Sequence, residues 1–508
     1  MREALRREDD WTGRTVTVMG LGLFGGGLGA ARFALEKGAN VTVTDLRGAE
    51  VLSSTVEALC ALPGAERVEL VLGEHRDKDF QEADIVLVNP AVPPRAPHLA
   101  LAREGGARVT SAIELLLGGL ACRVVAITGT HGKSSTVHFT ADLLRAGLAP
   151  GTRVALGGNI GGSLLGEMDQ LKSTDVVVLE LSSYQLENLG AEFVAAASTE
   201  RVLDVAAITT IGVDHLARHR TVEAYRAAKL RIAQLTGQDG REPGVVIAPA
   251  REDGALRELL PRAPGLRLLS DDGEQATFNG LQVPGDFQRA NLRVAWGVAE
   301  ALGADPRQME RAIPHLTGLP HRMEPLPDCS ATPCGRRLRV FDNGVSTTPE
   351  STVAAMESAS GSARPGEHKL VLVGGQAKVG CDLRALGRAA ATLGWVLVPF
   401  GSAAEEIAAA ARSEGASFVA GAPARERDGA PGGVEAAVEL ALEHIAALPP
   451  SPLEPPLHSV HLLFSPACAS FDRYPNFKAR ALAFRGALSK SLGHTGTQPK
   501  NERLQSKD

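Results

Sequence analysis

Short runs of valine, isoleucine and leucine alternate with alanine-rich amphipathic stretches along nearly the whole chain. TVTVMG (residues 15–20) runs into a glycine turn, then into the helical pattern GAARFALEKG, then into the apolar run NVTVTD ending at Asp45. DIVLVNP follows and ends at Asn89 and Pro90. Further on, RVVAITG, DVVVLELSS and VAAITTIG have the same character, and after residue 324 so do RVFDNGV, KLVLVGG, GWVLVPFG and HLLFSP. Strands of this kind, separated by helical stretches rather than by hairpin turns, predict an α/β fold with parallel sheets.

The punctuation divides the chain into blocks. The first occupies residues 1–110, the second 111–320 and the third 321–488; residues 489–508 are polar and aperiodic and are expected to be disordered. LPPSPLEPPLHS, residues 448–459, reads as a loop. A chain of 508 residues is too long for one core, so several domains agree with this pattern.

Composition changes the picture only by exclusion. With 44% hydrophobic and 22% charged residues the balance is that of a soluble globular protein. A formal net charge of -6 gives no reason to expect nucleic acid or an anionic membrane as partner. No apolar run is long enough to span a bilayer, and MREALRREDD lacks the apolar core of a secretory signal. The six cysteines, Cys60, Cys122, Cys329, Cys334, Cys381 and Cys468, include no CxxC pair, so neither a zinc site nor a disulfide framework is expected. A cytoplasmic location follows as the expectation.

Two glycine turns carry chemistry. Gly20, Gly22 and Gly25 form G-x-G-x-x-G between strand and helix, with Asp45 closing the next strand. That arrangement brings backbone against a pyrophosphate and an acidic group against a ribose, although glycines recur in any tight strand-to-helix turn. Taken alone it also admits a nicotinamide-dependent oxidoreductase. The second turn, GTHGKS at residues 129–134, is a shortened phosphate loop with Ile127 where the longer pattern has glycine. Backbone N–H groups can cradle phosphates, Lys133 can reach the outer ones and Ser134 can touch Mg²⁺. Glu180 ends one neighbouring strand, and Asp214 and His215 follow another. In an open parallel sheet ligands gather at those ends, so Lys133, Ser134, Glu180 and His215 are expected to converge. An oxidoreductase leaves this second set unexplained.

The segment TVEAYRAAKLRIAQL predicts a helix capped by Thr221, with Val222, Tyr225, Lys229 and Ile232 on one stripe. Lys229 therefore lies either along the surface with its stem covered or buried with a lowered pKa. In the second case its neutral amine could add CO₂ to give a carbamate.

ITGTHGKSS, GGNIG, ELSSYQLE, DHLARH, AYRAAKLRI, GLPHRME, GGQAK and SPACASFDRYPNFKAR, in that order, resemble the Mur ligase family from about residue 14 to 485. ELSSYQLE and SPACASFD are the segments most diagnostic of its D-glutamate-adding branch. The resemblance implies three domains: an N-terminal Rossmann-like domain holding a UDP-linked substrate, a central P-loop ATPase-like parallel sheet holding ATP, and a C-terminal Rossmann-like domain seating the amino acid. It implies a carbon–nitrogen ligase that adds D-glutamate to UDP-N-acetylmuramoyl-L-alanine through an acyl phosphate, in peptidoglycan precursor synthesis. A monomer using ATP and Mg²⁺ is implied, with no nucleic acid or membrane partner.

By the same resemblance Gly22, Leu23, Phe24, Asp45, Arg47, Asn89 and Asn159 contact the UDP substrate. Gly129, Thr130, Gly132, Lys133, Ser134, Ser135, Asn291, Arg322 and Asn343 meet ATP. Ser134 and Glu180 hold a first Mg²⁺, His215 and carbamylated Lys229 a second, and Lys378, Ser470 and Phe477 seat the amino acid. Lys133, Lys229, His215 and Arg322 carry the catalytic roles.

Two departures from the family pattern bear on specificity. FDNGVSTTPEST places Asn343 where the family has an aspartate and Val345 where it has a lysine, and Gln288 stands where asparagine is common. L-glutamate or another amino acid as nucleophile, and a non-catalytic nucleotide-binding relative, are the alternatives these departures leave open.

Overall fold

The computed structural model describes residues 10–23, 25–160, 163–237, 244–250, 265–269, 278, 280–327, 337–364, 366–378, 380–449 and 459–492. Among them are three sheets. The first contains β1 Thr15–Met19, β2 Asn40–Asp45, β3 Val68–Leu72, β4 Ile85–Val88 and β5 Arg108–Thr110. Its order is β3-β2-β1-β4-β5, with every pairing parallel. The order reverses at β1, so the crevice between the ends of β1 and β4 is where such a sheet takes a ligand.

The second sheet contains β6 Arg123–Thr128, β7 Val154–Gly158, β8 Val176–Glu180, β9 Val205–Ile208, β10 Val245–Pro249 and β11 Leu266–Leu269. Its order is β11-β10-β9-β6-β8-β7, again parallel throughout. β6 and β8 are buried almost end to end, which is why RVVAIT and VVVLE read as continuous apolar runs rather than alternating ones. One apolar core runs through both sheets, joining Val16, Val18 and Val43 of the first to Val124, Ala126, Val177 and Leu179 of the second.

The third sheet contains β12 Glu324–Pro325, β13 Arg337–Asp342, β14 His368–Gly374, β15 Val396–Phe400, β16 Ser417–Phe418 and β17 Ser459–Ala467. Its order is β12-β13-β17-β14-β15-β16, and the short edge strand β12 is its antiparallel member. Separate apolar clusters cover its two faces, one around Leu462, Phe464 and Phe484, the other around Val371, Met356 and Trp395.

The chain divides into two compact units. One comprises Met1–Gly280 with Arg289–His315, the other Leu281–Gln288 with Leu316–Asp508. The last helix, Phe477–Ser491, continues past residue 489, where the sequence predicts disorder to begin, because Leu488 still packs into the core. The remainder of the tail, most of the proline-rich segment, Phe24, Gly161, Cys329 and Cys334 lie outside the described residues. The four described cysteines are free thiols, and no described helix is long and apolar enough to cross a membrane.

Candidate nucleotide and metal site

The second glycine turn joins β6 to the helix Lys133–Gly147. Gly132 caps that helix at φ 81°, and a Cβ there would lie 2.2 Å from Asn291 Oδ1. Only glycine meets both conditions, so the GK pair follows from the fold of the turn as well as from its chemistry. The loop is braced from β9: Thr130 N donates to Thr210 O at 2.7 Å and His131 N to Thr210 Oγ1 at 3.0 Å. Thr209 Oγ1 donates to His131 O. Lys133 folds back over the turn and donates Nζ to Gly129 O at 2.9 Å and Thr130 O at 3.0 Å. Ser134 and Ser135 are buried in the first helical turn, where backbone N–H groups and the helix dipole favour an anion.

β8 is paired beside β6 with Glu180 opposite Ile127, which brings its carboxylate to the same end of the sheet as the loop. Glu180 is 2% exposed. Asn159, just past β7, donates Nδ2 to Glu180 Oε1 at 2.9 Å, while Oε2 is buried with no protein partner. A buried carboxylate oxygen left unpaired is costly unless a cation or donor completes it. With the buried Ser134 hydroxyl at the start of the neighbouring helix, the oxygen donor set is one that suits Mg²⁺.

His215 does not lie on a strand end. It is seven residues beyond β9, in left-handed conformation (φ 54°), capping the short helix Leu216–His219. Its backbone N donates to Asp214 Oδ1 at 2.8 Å, and its ring lies 3.5 Å from Asp214 Oδ2 and 3.4 Å from the Tyr184 hydroxyl. About one turn of helix away His219 is buried, its Nε2 3.0 Å from Ser183 Oγ, and burial lowers its pKa.

Thr221 caps the helix Val222–Gln234 by accepting from Ala224 N, as the pattern predicts. Lys229 is buried: it is 2% exposed, 4.8 Å from the Tyr225 ring centroid, and donates Nζ to Gly129 O at 2.6 Å. Burial, then the Lys133 ammonium, push its pKa well below the lysine range, and Asp214 and Glu180 only partly offset them. Tyr225 donates its hydroxyl to Thr130 Oγ1 at 3.1 Å, and Thr130 Oγ1 in turn accepts from Gly212 N at 2.8 Å. Tyr225 shares the apolar stripe and so carries no polar signal along the sequence, whereas Thr209 and Thr210, two polar residues just past the apolar strand β9, do.

At the first glycine turn Asp45 accepts from Gly22 N at 3.0 Å and from Arg47 N at 2.9 Å, so its carboxylate fixes both segments. Asn89 donates Nδ2 to Gly20 O at 3.1 Å. Leu23 is 43% exposed beside the turn.

The remaining candidates lie on the other unit. Arg322 sits between two left-handed residues, His321 (φ 60°) and Met323 (φ 53°). The turn is held by His321 N to Glu324 Oε2 at 2.9 Å, Met323 N to Asn343 Oδ1 at 3.2 Å and Val345 N to His321 O at 3.2 Å. Asn343 is buried and also donates Nδ2 to Ser465 Oγ at 3.0 Å, so both ends of its amide serve the protein. His321, Glu324 and Asp342 form a cluster of metal-binding type, but the Arg485 guanidinium supplies the cation, donating Nε to Asp342 Oδ2 at 2.7 Å and Nη2 to Glu324.

Paired backbone bonds between Gln376 and Ala469 (2.8 and 2.9 Å) tie the loop carrying Lys378 to that carrying Ser470. Phe477 opens the final helix, capped by Asn476. Behind them Arg480 is wholly buried and donates Nη1 to Cys468 O at 3.0 Å, Ala469 O at 3.1 Å and Gly374 O at 3.3 Å. Burial brings its pKa down to about 10, so it stays a cation at neutral pH. Its place in the stripe Phe477, Arg480, Ala481, Phe484 was the available sequence signal.

Three sheets of parallel type, a glycine turn at a topological switch point, and a phosphate loop flanked by a buried carboxylate and a buried lysine define a nucleotide-dependent enzyme of the α/β class. Residues 127–298 match the Mur ligase middle domain and residues 14–111 the Mur ligase MurD-like, N-terminal domain. A UDP-N-acetylmuramoylalanine--D-glutamate ligase of Roseiflexus sp. (strain RS-1) is 32% identical, the match covering 93% of this chain and 98% of that protein. Its counterpart in Geobacter metallireducens is 30% identical over 96% and 99%. The chain belongs to the Mur ligase family. In fold it is similar to MurF ligase from Thermotoga maritima, solved in complex with ADP (TM-score 0.54, 17% identity, 98% of this chain and 100% of that one).

Proposed function

We propose that this protein uses ATP to join D-glutamate to UDP-N-acetylmuramoyl-L-alanine, in peptidoglycan precursor synthesis. Full-length relatives named for that reaction support the substrates. The observation that carries the chemistry is the buried Glu180 Oε2 left without a protein partner beside the phosphate loop. In this reading residues 1–110 hold the UDP-linked substrate, 111–320 hold ATP and 321–488 seat the amino acid. In the same reading it works in the cytoplasm as a monomer.

The substrate's terminal carboxylate attacks the γ-phosphorus of ATP, ADP departs, and an acyl phosphate forms. The amine of D-glutamate then attacks the carbonyl carbon, loses a proton, and the tetrahedral intermediate expels phosphate. Most of the acceleration comes from placement and from neutralising phosphate charge. The turn Gly129–Gly132 and the first turn of its helix present N–H groups to the phosphates. Lys133 is poised over the loop carbonyls for the β- and γ-phosphates, and Ser134 and Glu180 would be the oxygen ligands for a first Mg²⁺. His215 and Lys229 would serve a second; Mg²⁺ bound there supplies positive charge to the phosphate oxygens. Asn159 holds one oxygen of Glu180 and is itself exposed, and in this reading it would contact the muramoyl group.

Lys229 in its neutral form is a nucleophile for CO₂. The amine nitrogen bonds to the carbon of CO₂ and releases one proton, leaving an N-carboxylate. That replaces a neutral amine, whose protonated form burial and Lys133 disfavour, by an anion that suits a site of phosphates and metal. Asn291 would contribute to the ATP site. Lys378, Ser470 and Phe477 provide an ammonium, a hydroxyl and an aromatic wall for the amino acid, over loops fixed by Arg480.

The test is phosphate release with ATP, Mg²⁺ and UDP-N-acetylmuramoyl-L-alanine, offering D-glutamate and L-glutamate in parallel. Turnover requiring D-glutamate is expected. Turnover with L-glutamate alone would keep the ligase and reassign the pocket around Val345, and no turnover with either would overturn the reading.

A further inference from the structure

We propose that Arg218 is a positioning residue that couples the UDP-substrate site to the metal-binding end of the ATP site. The inference rests on the assignment of the first glycine turn to the UDP substrate and adds a physical link between the two nucleotides. Arg218 lies in the short helix that His215 caps, and its side chain is 9% exposed. Its guanidinium reaches the loop that follows β4, donating Nη1 to Ala91 O at 2.8 Å and Nη2 to Val92 O at 2.9 Å, with Pro90 O at 3.4 Å. Asn188 grips the same loop, donating Nδ2 to Val92 O at 3.1 Å and Pro90 O at 3.3 Å, and accepts from Arg218 Nη2 at 3.2 Å.

The loop is rigid between its ends. Asn89 Oδ1 accepts from Ala91 N at 3.1 Å, Val92 N donates to Asn89 O at 2.9 Å, and Asn89 Nδ2 reaches Gly20 O. On the other side Arg218 lies over the Tyr184 ring, 4.9 Å from its centroid, and the Tyr184 hydroxyl is 3.4 Å from His215 Nδ1. Arg218 Nε donates to Glu187 Oε2 at 2.7 Å, and Glu187 lies 3.6 Å from His219. An unbroken set of short contacts therefore runs from the first glycine turn, through Asn89 and the carbonyls of residues 90–92, to Arg218, Tyr184 and His215.

Five donors in a fixed planar fork are what such a junction requires: one charge satisfies three carbonyls and a carboxylate at once. A lysine has the charge but not the fork. A group that moves the loop when the UDP substrate binds must shift Arg218, and with it the ring that fixes His215. Coupling of this kind is reciprocal, so each ligand changes the affinity of the other by the same factor.

The experiment is calorimetric titration of UDP-N-acetylmuramoyl-L-alanine into the whole protein, with and without saturating Mg²⁺–ADP, for the wild type, Arg218→Gln, Arg218→Lys and Asn188→Ala. The wild type is expected to bind the UDP substrate at least ~5-fold more tightly when Mg²⁺–ADP is present, the lower end of ordinary coupling. In Arg218→Gln the ratio should fall to about one, with Arg218→Lys and Asn188→Ala between the two, the lysine recovering part of the grip. A residue that merely supports folding would lower the melting temperature or the active fraction but leave that ratio unchanged. A wild-type ratio of one, or wild-type coupling retained in Arg218→Gln, overturns the inference; if Arg218→Gln does not fold, wild-type coupling in Asn188→Ala and Arg218→Lys overturns it instead. Failure of the wild type to bind the UDP substrate in either condition overturns the functional reading and the inference with it.

Discussion

Replacing Lys229 by methionine should raise stability or leave it unchanged while removing most of the activity. The side chain is 2% exposed and donates a hydrogen bond to Gly129 O at 2.6 Å. That carbonyl keeps a second donor, Lys133 Nζ at 2.9 Å, so its loss of partner is incomplete and costs at most about 1 kcal/mol. Methionine is similar in volume, and such exchanges in a core cost less than about 1.5 kcal/mol. Against these stands removal of a buried ammonium whose pKa is driven well down by burial and by Lys133. Replacing buried charge by an apolar group of like size is commonly neutral or stabilising by about 1–4 kcal/mol.

The sign of the pH dependence follows. A lysine with a depressed folded-state pKa binds fewer protons folded than unfolded, between that pKa and the ordinary value near 10.4. The wild type therefore gains stability from this group as pH rises through that window, and the methionine variant should lose this part of the slope. Its advantage is largest on the acid side. Activity should move the other way, falling by on the order of 10²–10³ if Lys229 carries charge to the phosphates. Urea denaturation at several pH values, beside phosphate release with and without added bicarbonate, reads both. Destabilisation by more than about 3 kcal/mol would show that the ammonium is well satisfied where it is. Wild-type turnover in the variant would end the carbamate role, and rescue of Lys229→Ala by short carboxylic acids would support it.

Glu180→Gln should lower turnover by about 10²-fold and weaken the dependence on Mg²⁺, without loss of melting temperature, since it removes a buried carboxylate oxygen that no protein group satisfies. Gly132→Ala, which would put a Cβ 2.2 Å from Asn291 Oδ1 at a φ of 81°, should weaken ADP binding by roughly tenfold or more in a direct titration, left-handed strain alone costing about 1–2 kcal/mol. At the far end of the third sheet His461 Nε2 and Glu367 Oε2 form a buried 2.9 Å pair. Burial lowers the His461 pKa, and although burial opposes it, hydrogen bonds from Arg364 N, Ser459 N and His461 lower that of Glu367. Both depressions place the loss of stability on the acid side, below about pH 6.5 for the histidine and below about 4.5 for the carboxylate, and thermal melts of Glu367→Gln should show a flatter acid limb than the wild type. Titration with NAD should give no binding, because an oxidoreductase leaves the second glycine turn and the buried Glu180 beside it without a role.

The sequence by itself determined the elements and the tight turn after β6. Runs such as RVVAIT and VVVLE are almost continuously apolar because parallel strands are covered on both faces, and Gly132 announces its turn because a left-handed residue pressed against Asn291 must be glycine. Thr221 and the stripe through Lys229 were legible because helix caps and helical spacing are local properties. What remained open was whether Lys229 is covered or lies along the surface, since spacing fixes a face but not what packs on it. The second sheet decides that by laying Gly129 O against its Nζ. Likewise Asn188 and Arg218 lie 98 and 128 positions from Pro90, and nothing in their neighbourhoods along the chain signals the junction they form. Asn343 reads as an ATP contact from its place in a motif, and only the third sheet shows that its amide also bonds Met323 N and Ser465 Oγ. Local propensity and turn chemistry are written in adjacent residues. Burial, electrostatic neighbours and the partner of each buried polar group depend on contacts between distant segments, and those exist only once the sheets have assembled.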